Sequence, residues 1–521
     1  MTRTAAYKTE TNCFPTIYRT NYRMKPIPFS IRALSALVLS MTMADSSFAA
    51  RSINGHKVSA SKETLLTQII VKYRNETACQ IYSANNKSGA NLAPMQAQRL
   101  TALQSAAQSF GTSFAIKRQM VTGAWVYRSS VALKPAQMRA LAAKLSAADT
   151  SVEYAEPDYI RRPLYVPTDP LYAGSQWDMQ SSAAQPGGAN LPAAWDISMG
   201  KNVVVAVLDT GYRPHPDILP NLLPAPGGTA NQYGYNFVTD PAAARITVAS
   251  GVTSARGPDA LDMGDWVDAS DKSCAETTSS WHGTHVTGTI AAAANNIGVI
   301  GVAPQAKVLP LRVLGKCGGT DSDITDALAW AAGIHINGVP DNTNKASVAN
   351  LSLGGDGVCT KTWAAAIQSV VANGMTVVVA AGNDNRDARV AAPANCPGVI
   401  AVSSIGMNGS RASYSNYGPT TTIAAPGGGD NSAADAITSS LPTGDTVSTD
   451  DTTYGTMVGT SQATPHVAGV AALMLSVNPT LTPAQVKAIL IKTARSPSAN
   501  CPGCSSGVVD ATAAVKAATG N

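Results

Sequence analysis

Six histidines occur in the 521 residues, and two of them, His282 and His285, stand three positions apart in WHGTHVTG. Imidazoles so placed can belong to a metal site, or one can act as a general base beside a structural neighbour. The choice depends on partners elsewhere in the chain. The apolar run VVVAVLD ends on Asp209, followed by Thr210 and Gly211; a carboxylate at a buried strand end is costly unless it is hydrogen-bonded or paired. Ser461 follows Gly459 and Thr460 and opens the strongly apolar stretch SQATPHVAGVAALML. Taken singly, each has a plainer reading: DTG as turn chemistry, the serine as a helix cap. Together, Asp209, His282 and Ser461 supply a nucleophile, a base and a group to orient the base, the set needed for acyl transfer. Such chemistry also needs donors for the oxyanion, and the candidates are the Asn383 side chain in AAGND and the Ser461 N–H. The chain order Asp, His, Ser is one of three recognised for this constellation. A zinc hydrolase using His282 and His285 is the rival, but the HExxH spacing is missing.

The elements that must position these residues follow from periodicity. VVVAVLD (203–209), KVLPLRVL (307–314), SVANLSLG (347–354), TVVVAAGN (376–383) and GVIAVSSI (398–405) are short apolar runs of the kind that form buried parallel strands. Helical patterns lie between them at 322–336 and 363–373. Another helix starts near His282, with Ser279 or Ser280 as its cap, and runs toward Asn295. Gly283 and Gly288 each cost that helix about 1 kcal/mol relative to Ala, which implies a close neighbour. His285 points elsewhere and is expected to be a packed structural histidine. The last helix is marked by Thr482, Pro483 and Gln485 as a capping box with proline at its first position. The pattern predicts a doubly wound, mostly parallel α/β sheet with ligands at the carboxyl ends of its strands.

The segments DTGYRPHPD, HGTHVTGT, NLSLGG, AAGND and GTSQATPHVAG, in this order across roughly residues 200–495, closely resemble the signatures of the subtilisin-like serine proteases, or subtilases. The resemblance implies that Asp209 orients, His282 is general base and acid, Ser461 is the nucleophile and Asn383 donates to the oxyanion, with no catalytic cofactor. It implies that Ser352, Leu353 and Gly354 pair with a substrate strand, and that Ala391 floors a specificity pocket roomy enough for a large apolar side chain. Gln462 departs from the methionine frequent after the nucleophile, a change expected to tune packing. A silent, non-catalytic relative would lack a member of the set, and none is missing.

Before this region, residues 50–165 read as a small α+β unit in the order β-α-β-β-α-β. Its strands are 69–74, 114–120, 124–131 and 153–160. One helix bears Leu100, Leu103, Ala107 and Phe110 on one face; the second opens at Pro135 and turns Met138, Leu141 and Leu145 inward. It contains no catalytic constellation and resembles a subtilase propeptide, which implies a folding aid and inhibitor cleaved between about Arg162 and Pro167. The peptidase domain is then 166–521. Residues 1–49 form a leader: Lys25 and Arg32 precede the apolar run Ala33–Met43, and Ser47 and Ala49 suit signal peptidase, with Met24 a possible true start. The run is too short for a bilayer, which takes about 20 residues, so secretion without a membrane anchor is expected.

Charge divides along the same line. Residues 1–166 carry 21 Lys and Arg against 8 Asp and Glu, and residues 167–521 carry 17 against 25, giving the net +5. The basic excess has no dense run or interleaved aromatics, so nucleic acid is not an expected partner. A basic front can attract an acidic body; the expected partners are that front unit and polypeptide substrates, for a monomer. Cys13 and Cys79 fall in the leader and front unit. Cys274, Cys317, Cys359, Cys396, Cys501 and Cys504 make an even set suited to disulfides in an exported chain; 15 pairings are open, with neighbours the expected partners. Asp217, and the cluster Asp259, Asp262 and Asp265, could bind structural calcium through several carboxylate oxygens; a solvated acidic loop is the equal alternative.

Overall fold

The computed structural model describes residues 65–74, 89–160, 165–429, 432–497 and 501–520. The leader, Cys13, Cys79 and the expected cleavage segment 162–167 up to residue 164 lie outside these. The described residues divide into two compact units, one before and one after the 161–164 gap.

In the smaller unit, β1 (Leu66–Tyr73), α1 (Gly89–Ala107), β2 (Phe114–Gln119), β3 (Trp125–Leu133), α2 (Pro135–Ala148) and β4 (Val152–Pro157) follow the β-α-β-β-α-β order. The strands form an antiparallel sheet in the order β2-β3-β1-β4. Alternation along β1 sends Ile69, Val71 and Tyr73 into a core with Leu103 of α1 and Met138, Leu141 and Leu145 of α2.

The larger unit is built on an eight-stranded sheet. Its order is β10 (Ile423–Pro426), β9 (Ile400–Ile405), β8 (Thr376–Ala380), β7 (Val348–Leu351), β5 (Val204–Asp209) and β6 (Lys307–Arg312), then the short strands Tyr235–Asn236 and Gly257–Pro258. All neighbours are parallel except the last pair. The strands are apolar on both sides because both faces are covered. Val205 and Val207 of β5 enter one core with α3 (His282–Ala291) and α6 (Thr460–Val477), whereas Ala206 and Leu208 enter the other with α4 (Asp321–Ala331) and α5 (Lys361–Ala372). Thr320 and Thr360 cap α4 and α5, and α7 (Pro483–Thr493) begins with the Thr482/Gln485 capping box.

Two local expectations change. The helix carrying His282 stops at Ala291, short of Asn295, and its N-cap is Trp281 in a left-handed conformation (φ 51°) in place of a serine. Ser280 still takes part, because its Oγ accepts from the His282 N–H at 3.3 Å. The α4 helix also ends at Ala331, five residues early.

Candidate active site

Asp209 is the last residue of β5 and is fully buried. Its Oδ1 accepts from the Thr210 N–H and from His282 Nδ1, both at 2.8 Å. A carboxylate in this bond only accepts, so the proton sits on Nδ1 and Nε2 keeps its lone pair. His282 occupies the first position of α3, with 19% of its side chain exposed. Burial works against a charged ring, but the charge and hydrogen bond of Asp209, with Asp265 and Asp262 behind, outweigh it and raise the His282 pKa above the usual imidazole value. The turn after Asp209 comes unusually close to α3: a Cβ on Gly283 would lie 2.2 Å from the Gly211 carbonyl oxygen.

His285, one turn on, is fully buried and donates through Nε2 to the Ile437 carbonyl at 3.0 Å. Burial pushes its pKa down to about 3, so it stays neutral. Among the described residues no group of three or more His, Cys, Asp or Glu is arranged to hold an ion.

Ser461 is the second residue of α6. Its Oγ donates to the Ser352 carbonyl at 3.1 Å, while Ser352 Oγ donates to the Ser461 carbonyl at 2.7 Å. Asn350 Nδ2 donates in turn to Ser352 Oγ. This reciprocal pair ties the start of α6 to the end of β7. Asn383 follows β8, and its Oδ1 accepts from both the N–H and the Oγ1–H of Thr460 at 2.9 Å. Two donors on one oxygen fix the amide orientation and leave Nδ2 as a donor for the cavity.

His282, Asn383, Ser461, Ser352, Leu353, Gly354 and Ala391 all line one cavity of about 970 Å³. Residues 352–354 lie beyond the end of β7, outside any strand. Opposite, Gly355–Asp356 pairs with Ala391–Ala392 as a short antiparallel ladder, and the Cys359–Cys396 disulfide joins the two segments just beyond it. Cys274 pairs with Cys317 and Cys501 with Cys504.

The four aspartates expected to hold calcium do not come together. Asp259 accepts from the Tyr212 hydroxyl and the Tyr233 N–H. Asp262 accepts from Thr210 Oγ1 at 2.6 Å and the Gly264 N–H at 2.9 Å, and Asp265 from the N–H and Oγ–H of Ser280. These three carboxylates serve as acceptors for nearby backbone and hydroxyl donors, and only Asp262 is fully buried. Asp217 sits elsewhere. Its Oδ2 accepts from the Val299 N–H and the Tyr454 hydroxyl, the Asn295 side chain also favours its charged form, and its buried Oδ1 has no close hydrogen-bond partner. Burial raises its pKa to about 6, and nearby Asp169 adds to the rise. Asp169 likewise accepts from Asn295 and Asn296 through Oδ1 and leaves a buried, unpartnered Oδ2. Each carboxylate grips the loop at 295–299 through one oxygen and leaves the other orphaned, the kind of oxygen a hard cation takes, and Asp169 had no signal in the sequence.

Other contributors were also hidden. Thr460 orients Asn383, and Thr210 Oγ1, while donating to Asp262, accepts from the Gly283 N–H at 3.0 Å. Each hydroxyl directly adjoins a candidate catalytic residue, the only signal that could have found them. Arg312, beside Asp209 on the neighbouring strand, is a fully buried cation that donates to the Ala244 carbonyl and faces the charge of Asp262.

Comparison with known proteins identifies the family. The family model for the subtilase family matches residues 200–517. An extracellular protease of Xanthomonas campestris pv. campestris is 43% identical over 406 residues, covering 77% of this chain and 65% of its own length. An extracellular basic protease of Dichelobacter nodosus is 40% identical, covering 72% and 60%. The chain therefore spans less than two thirds of the length of these two relatives. A solved structure described as proteases from Pseudoalteromonas arctica has 46% identity and a TM-score of 0.63, covering 68% of this chain and all of that one. With five motifs in order and the family model covering 200–517, the chain belongs to the subtilase family.

Proposed function

We propose that this protein is a secreted serine endopeptidase made as a proenzyme. The observation that carries the reading is the buried Asp209–His282 hydrogen bond facing a cavity that Ser461 and Asn383 also line. In the mechanism, Ser461 Oγ leaves the Ser352 carbonyl and attacks the scissile carbonyl carbon as His282 Nε2 takes its proton. Asp209 steadies the imidazolium, and general base catalysis of this kind contributes about 10²–10⁴-fold. The tetrahedral oxyanion accepts from Asn383 Nδ2 and the Ser461 N–H. His282 then protonates the leaving amine, an acyl-enzyme forms on Ser461, and water, deprotonated by His282, releases the acid. Ser352–Gly354 receives the substrate backbone in β fashion, and the pocket over Ala391 takes a large apolar side chain.

The unit at 65–160 is proposed to be the cleavable folding aid and inhibitor. Relatives named extracellular proteases support export, and among the described residues no helix is long and apolar enough to cross a membrane. Calcium, bound through Asp217 and Asp169, is proposed to supply structural charge neutralisation and to take no part in the reaction. Cys274–Cys317, Cys359–Cys396 and Cys501–Cys504 are proposed as the native pairs.

The test is a serine-directed organofluorophosphonate on the purified mature protein, with casein as substrate. Labelling at Ser461 with loss of casein cleavage is expected. Cleavage by a protein unlabelled at Ser461 would sink the assignment, and prompt inactivation by a chelator without unfolding would favour a catalytic metal. Ser461→Ala should accumulate with its front unit uncleaved.

A further inference from the structure

The acidic insertion meets the two residues whose alignment the proposed chemistry needs most. We propose that Asp265 and Asp262 are positioning residues that clamp the first turn of the His282 helix against Asp209, one through Ser280 and the other through Thr210. The proposal rests on the serine-peptidase reading.

Each arm is a continuous chain of hydrogen bonds. Asp265 takes the Ser280 N–H on Oδ1 at 2.6 Å and the Ser280 hydroxyl on Oδ2 at 2.7 Å. The same Ser280 Oγ accepts from the His282 N–H at 3.3 Å. Asp262, fully buried, takes the Thr210 hydroxyl at 2.6 Å, and Thr210 Oγ1 accepts from the Gly283 N–H at 3.0 Å. Thr210 also gives its own N–H to Asp209. The first amides of an α-helix have no partner within the helix. Here Trp281 offers no side-chain cap, so the amides of His282 and Gly283 are met by two hydroxyls. Hydroxyl oxygens can rotate; these cannot, because a carboxylate takes the proton of each. The position of the imidazole over Asp209 is thereby set by side chains 17 and 20 residues upstream.

The insertion also contributes field. The charges facing His282 are Asp209 at the end of β5 and Asp262 and Asp265 from the insertion; His285, one turn on, is neutral. Arg312 of β6 and Arg245 oppose the two insertion aspartates, and the Arg213 guanidinium lies over the Trp281 ring at 5.8 Å. Asp265 also lines the cavity, so its effect on catalysis must be separated from a contact with substrate.

The experiment compares parent, Asp265→Asn, Ser280→Ala and Thr210→Val as mature proteins on a chromogenic peptide with a large apolar residue before the cleaved bond. Asp265→Asn keeps an acceptor and loses the charge; kcat should fall about tenfold or more with KM within twofold, and the acid limb of kcat/KM should move to lower pH. Thr210→Val keeps the shape and cuts the Asp262 arm; kcat should fall by a similar factor. Ser280→Ala keeps both charges, so kcat should drop without movement of the acid limb, and it decides the matter if Asp265→Asn does not fold. Unchanged kcat and acid limb would overturn the proposal, as would a loss confined to KM or one reversed by added calcium. Phosphonate labelling of the parent at Ser461 is measured alongside. An unlabelled parent refutes the peptidase reading itself, whereas a labelled parent with indifferent variants refutes only the clamp.

Discussion

Gly283→Ala should separate catalysis from stability. An alanine Cβ there would meet the Gly211 carbonyl oxygen at 2.2 Å, the Gly211 nitrogen at 3.0 Å and the Asp209 Cβ at 3.2 Å. Ordinary contact begins near 3.4 Å, so α3 and the Asp209 turn must separate by about 1.2 Å, the difference between 3.4 and 2.2. The obstacle is backbone, which cannot rotate aside. If half of that motion falls along the His282–Asp209 bond, its 2.8 Å becomes about 3.4 Å, outside the normal range for an N–H···O bond. A misplacement of about 1 Å costs on the order of 10²-fold in rate. Stability moves less, because overpacking costs about 1–3 kcal/mol and replacing Gly by Ala within a helix returns about 1 kcal/mol. The assay is kcat/KM on a chromogenic peptide, with thermal unfolding followed in a Ser461→Ala background to prevent self-digestion. Gly288→Ala is the control, since its Cβ would press chiefly on the Ser440 and Ser439 hydroxyls, with the Ser440 nitrogen at 3.2 Å, and touch nothing of the Asp209 turn; it should cost stability through those hydroxyls' bonds to the Thr284 and His285 carbonyls and spare most activity. Gly283→Ala with parental kcat/KM would refute the view that backbone contact at this glycine sets the Asp209–His282 distance.

The His282 pKa is raised, and the base must be neutral, so the acid limb of kcat/KM should lie above pH 6.5, with activity lost as pH falls. The stability contribution has the opposite sign: it is full below the unfolded pKa and is lost as pH rises through the folded one, which pH-dependent unfolding of Ser461→Ala can check. Added calcium should raise the unfolding temperature, by about 2.7 kcal/mol of stabilisation at a hundredfold excess over Kd. That response should disappear in Asp217→Asn and fade as pH falls through about 6, where Asp217 protonates. Replacing Cys274 and Cys317 by serine opens a loop of 43 residues and should cost up to about 4 kcal/mol, read from denaturant unfolding, with kcat reduced less than in Gly283→Ala.

Local sequence determined much of this protein. The apolar run ending at Asp209, the capping box at Thr482 and the two glycines of the His282 helix follow from periodicity, cap chemistry and steric demand, which act over a few residues. The candidate site was legible because its members sit in distinctive short segments at strand and helix ends. What the tertiary structure decided are bonds between segments far apart in the chain. Asp217 and Asp169 both bond the loop at 295–299, and Ser461 exchanges hydrogen bonds with Ser352 from 109 residues away. Asp259, Asp262 and Asp265 read as metal ligands because composition counts carboxylates and does not show where they point. Which donor each oxygen meets depends on the path of the insertion through the fold; for Asp262 and Asp265 that path ends at Thr210 and Ser280, beside the proposed catalytic residues.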